Sequence, residues 1–160
     1  MNIVIGVADC QVSREPDAIL TTFALGSCIA VAVYDPQALV AGMLHFMLPE
    51  SAQDPGRAER NPYMFADTGI PLLFHQACHL GAEKRRMIVR VAGGSQLLDE
   101  RGLFNIGKRN YLAVRKILWK AGVLVRSEEA GGNLTRTLKL HVATGRCVVT
   151  TPGVNGGREL

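Results

Sequence analysis

Apolar and polar positions along this chain mostly change over in stretches short enough for strands, and twice settle into a helical repeat. Asn2 to Val7 is rich in strand formers. Ile29 to Tyr34 reads IAVAVY, a short apolar run closed by the turn signal Asp35-Pro36, and Val40 to Met47 follows, so Ile29 to Met47 predicts a hairpin. Gly42 within it marks a bulge or a close backbone approach. Pro49 to Pro62, rich in proline, charge and small residues, predicts a loop. Ile70, Leu73, Phe74, Ala77 and Cys78 then recur at helical spacing, predicting a helix near Asp67 to Leu80 that Asp67 can cap and Gly81 ends. Pro71 falls within or just after the first turn, where an amide has no partner to lose. Met87 to Val91 predicts a strand running into Gly93-Gly94. Ile106 to Ala121 is the clearest helix, ended by Gly122. Its face of Ile106, Ala113, Val114, Ile117, Leu118 and Ala121 opposes one of Lys108, Arg109, Arg115, Lys116 and Lys120. Strands follow at Val123 to Arg126, Thr137 to Val142 and Cys147 to Thr150. The order βββ-α-β-α-βββ does not alternate, which argues for an α+β fold of mainly antiparallel pairing over a doubly wound sheet.

Composition narrows the class. A chain of 160 residues, 48% hydrophobic and 20% charged, is sized and mixed for one globular domain, 1–160, and excludes extended disorder. No apolar run approaches the roughly 18 residues of a spanning helix, so no direct membrane insertion is expected. Met1 to Gln11 has no basic leader pattern, which makes the cytoplasm the default location. Charge is split: three arginines against eight carboxylates leave −5 on residues 1–80, and 15 basic against six acidic side chains leave +9 on residues 81–160. Such asymmetry fits an acidic partner, nucleic acid or protein, and fits equally a solvated basic face. With one Trp, three Tyr and no aromatic–basic interleaving, a nucleic-acid module ranks last.

Candidate chemistry centres on Thr21 to Pro49. The four cysteines, Cys10, Cys28, Cys78 and Cys147, contain no C-x-x-C pair and are read as reduced. Cys28 follows Leu25-Gly26-Ser27 and precedes an apolar strand, so a glycine turn can hold its thiol exposed at a sheet edge. Amides near Ser27 and Cys28 can then face one oxyanion. His45, seventeen residues on, falls near the end of the next hairpin strand, where a Cys–His contact would supply a general base and acid. On spacing alone, a core cysteine and a satisfied, partly buried histidine explain these positions as well. His75, Cys78 and His79 invite a metal reading, but no H-E-x-x-H arrangement is present and Cys78 falls on the apolar side of the helix. Cys10 and Cys147 read as structural. Gly93-Gly94 and Gly131-Gly132 lack the Lys-Ser/Thr of a phosphate loop and read as tight turns.

The motifs T-x-x-L-G-S-C, Tyr-Asp-Pro and Met-Leu-His-Phe-Met-Leu-Pro resemble the CheD family, the bacterial chemoreceptor glutamine deamidases. The resemblance extends through Tyr63 to Ala82, Gly93-Gly94, Ile106-Gly107-Lys108-Arg109-Asn110, and Gly131-Gly132 with Arg136, and so covers roughly Val4 to Val149. It implies a β-sandwich flanked by helices, similar to the catalytic domains of deamidating toxins. It implies a nucleophilic Cys28, a His45 acid–base, and Thr22, six positions before the cysteine, as the residue orienting His45. It implies hydrolysis of a receptor glutamine through a thioester; the Gly26–Ser27 turn, read from the residues, is the expected oxyanion turn, and no cofactor or metal is expected. Chemoreceptor cytoplasmic domains are the implied substrate and a CheC-type phosphatase a further partner. A largely non-enzymatic adaptor for that phosphatase is the alternative, and a monomer is a reasonable state. Two positions differ from the family pattern: Ala92 stands where Phe is usual, and Thr135 where Gly is usual, a site at which a left-handed backbone would strain a threonine.

Overall fold

In the computed structural model, which describes residues 1–96 and 105–160, ten strands form two five-stranded sheets. The first takes β1 (Asn2–Val4), β3 (Ile19–Leu25), β8 (Arg136–His141), β9 (Cys147–Thr150) and β10 (Arg158–Glu159), in that order. The second takes β2 (Asp9–Ser13), β5 (Val40–Phe46), β4 (Ile29–Asp35), β6 (Ile88–Gly93) and β7 (Val125–Ala130), in that order. Pairing is antiparallel except for β1 with β3 and β6 with β7. The class is therefore α+β, a sandwich of mostly antiparallel strands with helices, as the sequence predicts.

The β4–β5 hairpin is the centre of the molecule, and its run of apolar residues has a simple cause: every residue in both strands is buried. Ile29, Val31, Val33, Leu44 and Phe46 face α2 (Ala66–His79) and α3 (Ile106–Lys120), joining Ile70, Leu73, Val114 and Leu118 in one core. Ala30, Ala32, Tyr34, Ala41 and Met43 face the other sheet, where Leu20, Leu25, Leu138 and Leu140 complete a second core. Each strand thus alternates between two apolar layers, so alternation with polar residues is absent. The many alanines on the inter-sheet face are small enough to bring the sheets close. Ala92 lies in this layer, opposite Ala30.

Several elements differ from the sequence expectation. β2 and β3 are strands that the pattern conceals, because Asp9–Ser13 is short and β3 carries two buried threonines, Thr21 and Thr22, in place of apolar residues. The loop Pro49 to Pro62 folds into short helical pieces, among them α1 (Pro55–Arg60), whose Asp54 accepts from the Arg57 amide at 3.1 Å. α2 starts at Ala66 and Asp67 is not its cap; that carboxylate lies in the first turn and accepts from the Ser51 amide and hydroxyl. Pro71 accordingly lies inside α2, on its exposed side. Gly42 makes no bulge; a side chain there would come within 2.9 Å of Leu73, so it admits α2. The strand expected at Val123 begins at Val125 and runs to Ala130. Cys78 is exposed, not on the apolar side: the buried stripe is Ala66, Ile70, Leu73 and Ala77. Thr135 is not among the residues with positive φ; Gly131 and Gly132 take up that conformation instead. Among the described residues, no helix is long and apolar enough to cross a membrane.

Candidate active site

Alternation along β5 decides where His45 goes. It shares the face of Ala41 and Met43, toward the other sheet, and pairs with Ala30 on β4 and Asp9 on β2. Thr22 on β3 shares the inward face of Leu20. The two meet across the sandwich with Thr22 Oγ1 2.8 Å from His45 Nδ1, both buried. Thr22 Oγ1 also donates to the Ile5 carbonyl at 2.7 Å. A hydroxyl has one proton, and a carbonyl can only accept, so that proton is committed to Ile5. The remaining lone pair accepts Nδ1–H from His45. The neutral imidazole therefore keeps its free lone pair on Nε2, which is buried and has no hydrogen-bond partner among the described residues.

Cys28 immediately precedes β4 and is half-buried against the same inter-sheet layer as His45. On the hairpin it is a diagonal neighbour of His45, since Ala30 is the residue directly opposite. No hydrogen bond joins the two at rest. Burial pushes the Cys28 thiol up, and its own backbone amide pulls it partly back. Burial holds the His45 imidazolium down to about 4, against a smaller opposing pull from Asp9. The resting pair is thus neutral thiol and neutral imidazole, not a preformed ion pair.

The turn that carries Cys28 is clamped from below. Ser95 N–H donates to Gly26 O at 2.8 Å, Gly94 N–H to Cys28 O at 3.0 Å, and Asn110 Nδ2 to Ser27 O at 2.9 Å. A side chain at Gly93 would collide with the Cys28 carbonyl, and one at Gly107 with the Gly94 and Ser95 carbonyls, which is why glycine stands at both. Arg136, 7% exposed, ties this support together by donating to Gly93 O, Ser95 Oγ and Gly131 O while pairing with Glu129 at 2.9 Å. On the approach to the turn, Ala24 adopts φ +54 where the β3–β8 register slips between Thr22 and Leu25. That irregularity lets Thr22 and Leu25 both face inward before the chain turns at Gly26.

Comparison with known proteins gives the same motifs a family. The family model for CheD chemotactic sensory transduction matches residues 47–151. The chain belongs to the CheD family. A CheD relative from Solibacter usitatus, described as a probable chemoreceptor glutamine deamidase, is 56% identical over 90% of this chain and 85% of its own. A CheD relative of the same description from Syntrophus aciditrophicus is 48% identical over 95% of each chain. The chemoreceptor glutamine deamidase CheD of Thermotoga maritima is 36% identical over all of this chain and 97% of its own.

Beyond Cys28, His45, Thr22, Gly26 and Ser27, sequence reasoning leaves Asn110 and Arg136 without a role, though both lie in quoted motifs. Their contacts are long-range, 83 residues apart for Asn110 to Ser27, and only the fold brings them together. His75, Cys78 and His79 are all exposed on α2. Among the described residues no three His, Cys, Asp or Glu are grouped to hold a metal.

Proposed function

We propose that this CheD protein is a cysteine-dependent glutamine deamidase acting on chemoreceptor cytoplasmic domains in the cytoplasm, with residues 1–160 as one deamidase domain. The observation that carries the reading is the Thr22–His45 bond, which reserves Nε2 of a buried imidazole as a base in the layer where Cys28 lies. His45 Nε2 takes the Cys28 proton as sulfur attacks the glutamine carboxamide carbon. The carbonyl oxygen becomes an oxyanion held by main-chain amides of the Gly26–Cys28 turn. The C–N bond breaks, His45 returns the proton to the leaving nitrogen, and ammonia departs from a Cys28 thioester. Water, deprotonated by His45, attacks the thioester and restores the thiol, leaving glutamate. Thr22 accepts Nδ1–H throughout and keeps the ring aimed; a neutral hydroxyl stabilises imidazolium less than a carboxylate would. No step calls for a cofactor.

The outward face of α3 supports an acidic partner surface, whether receptor or a CheC-type protein. Lys108, Arg109, Arg115, Lys116 and Lys120 stand on a helix without a carboxylate, beside Leu112 and the 79%-exposed Trp119. Incubation with receptor cytoplasmic domains and mass spectrometry tests the function. Conversion of glutamine to glutamate that disappears with Cys28→Ala supports it; no conversion by folded protein on a matched receptor contradicts it.

A further inference from the structure

Asn110 is fully buried, yet it is polar, and it reaches out of the first turns of α3 to two carbonyls that receive no other side-chain hydrogen bond among the described residues. Its Nδ2 donates to Ser27 O at 2.9 Å and to Met47 O at 2.8 Å. Both partners are acceptors, so the NH2 group and not the carbonyl oxygen must face them, which fixes the amide orientation. Asn110 Oδ1 is left buried without a partner among the described residues. An unmet buried acceptor is destabilising, a cost that a side chain serving packing alone would not carry.

The geometry of the peptide bond says what this clamp does. In a trans peptide the C=O and the following N–H point in opposite directions. Asn110 draws the Ser27 carbonyl toward α3, so the Cys28 N–H is turned the other way. Ser95 draws the Gly26 carbonyl inward, so the Ser27 N–H is turned outward likewise. Neither amide has a main-chain acceptor among the described residues. The second bond, to Met47, ties the same side chain to the strand end two residues beyond His45. One amide group thus spans both arms of the hairpin at the end where the thiol and the imidazole lie.

We propose that Asn110 is a positioning residue that aims the Cys28 N–H at the developing oxyanion and holds the thiol's turn in register with the strand of His45. The proposal rests on the deamidase reading for its substrate, but its test does not. In a Cys78→Ser background, the only other cysteines, Cys10 and Cys147, are buried. Cys28 is then acylated with p-nitrophenyl acetate, whose reaction passes through a tetrahedral oxyanion and releases nitrophenolate, and alkylated with iodoacetamide, whose reaction forms no oxyanion. Loss of an oxyanion donor costs roughly 10²–10³-fold. Asn110→Ala is expected to slow acylation by about 10²-fold while alkylation stays within about twofold. Asn110→Ser, which keeps one donor, is expected to lose less, and it carries the test if the alanine variant does not fold. Acylation and alkylation falling by one common factor, or neither falling, overturns the proposal. Neither reagent contains a glutamine, so the two ideas fail separately. A fallen ratio without receptor conversion by the wild type defeats only the deamidase reading. Conversion with an unchanged ratio defeats only the role of Asn110.

Discussion

The two ends of the β4–β5 hairpin are both buried and treat their polar groups in opposite ways. At the turn end, Asp35 is fully buried and saturated: Oδ1 accepts from Gln37 N at 2.9 Å and Ala38 N at 3.1 Å, and Oδ2 from Glu83 N at 2.8 Å, with Arg86 paired at 2.8 Å. Burial alone would raise this carboxyl, but Arg86 and the three amides hold it down to about 2. At the open end, His45 is just as buried, yet among the described residues Nε2 has no partner and two turn amides have no main-chain acceptor, and the thiol is held above its ordinary value. A closed network of hydrogen bonds stabilises one end. In the proposed reaction, the groups left open at the other are those a substrate carboxamide would complete.

The contrast breaks most sharply on Cys28→Ala. Receptor conversion is expected to fall on the order of 10⁴-fold or more, with a thermal midpoint close to wild type, read by mass spectrometry and by melting. Asp35→Ala is the mirror image. It strands Arg86 and three amides and is expected to cost about 3–5 kcal/mol in urea unfolding, while kcat of the folded protein at low temperature stays within about twofold.

Acid separates the ends next. His45 is depressed when folded, so the unfolded chain binds its proton first as pH falls. Stability is then lost from about 6.5 down to about 4, worth roughly 3 kcal/mol. Asp35 is also depressed, so its contribution holds above the ordinary carboxylate range and is lost only as pH falls toward about 2. Urea midpoints across this range should show two steps, and His45→Gln should remove the upper one. The acid limb of kcat/KM should lie near 4, not near the ordinary imidazole value. The smallest effect is Thr22→Val, which removes the acceptor for Nδ1–H; kcat should drop about tenfold with KM little changed, and Thr22→Ser should restore it.

How much of this was legible in the sequence follows the same division. The hairpin was, because the six-residue apolar run Ile29 to Tyr34, closed by Asp35-Pro36 and followed by the mostly apolar Val40 to Met47, has few other readings. Cys28 and His45 were legible as a candidate pair, equally readable on spacing alone as core residues, and their shared layer follows from β4–β5 pairing. Thr22 was legible by resemblance alone, since its strand is masked by buried threonines and interrupted where Ala24 takes a left-handed turn. The support of the turn was not legible. Asn110, Ser95 and Arg136 act through contacts to carbonyls far away in the chain, and a carbonyl leaves no trace in residue identity. The start of α2 is hidden in the sequence, because Asp67 has the character of a cap while its carboxylate serves Ser51 from within the first turn.

The most direct measurement is a single-turnover reaction of the protein with a receptor cytoplasmic domain, quenched in acid within one catalytic cycle and analysed by intact mass and peptide mapping. The account predicts a transient cross-link between Cys28 and the target glutamine, lighter than the two parts by one ammonia, labile to hydroxylamine and replaced by glutamate as it decays. Conversion of glutamine without any Cys28-linked species, and undiminished in Cys28→Ala, would contradict it.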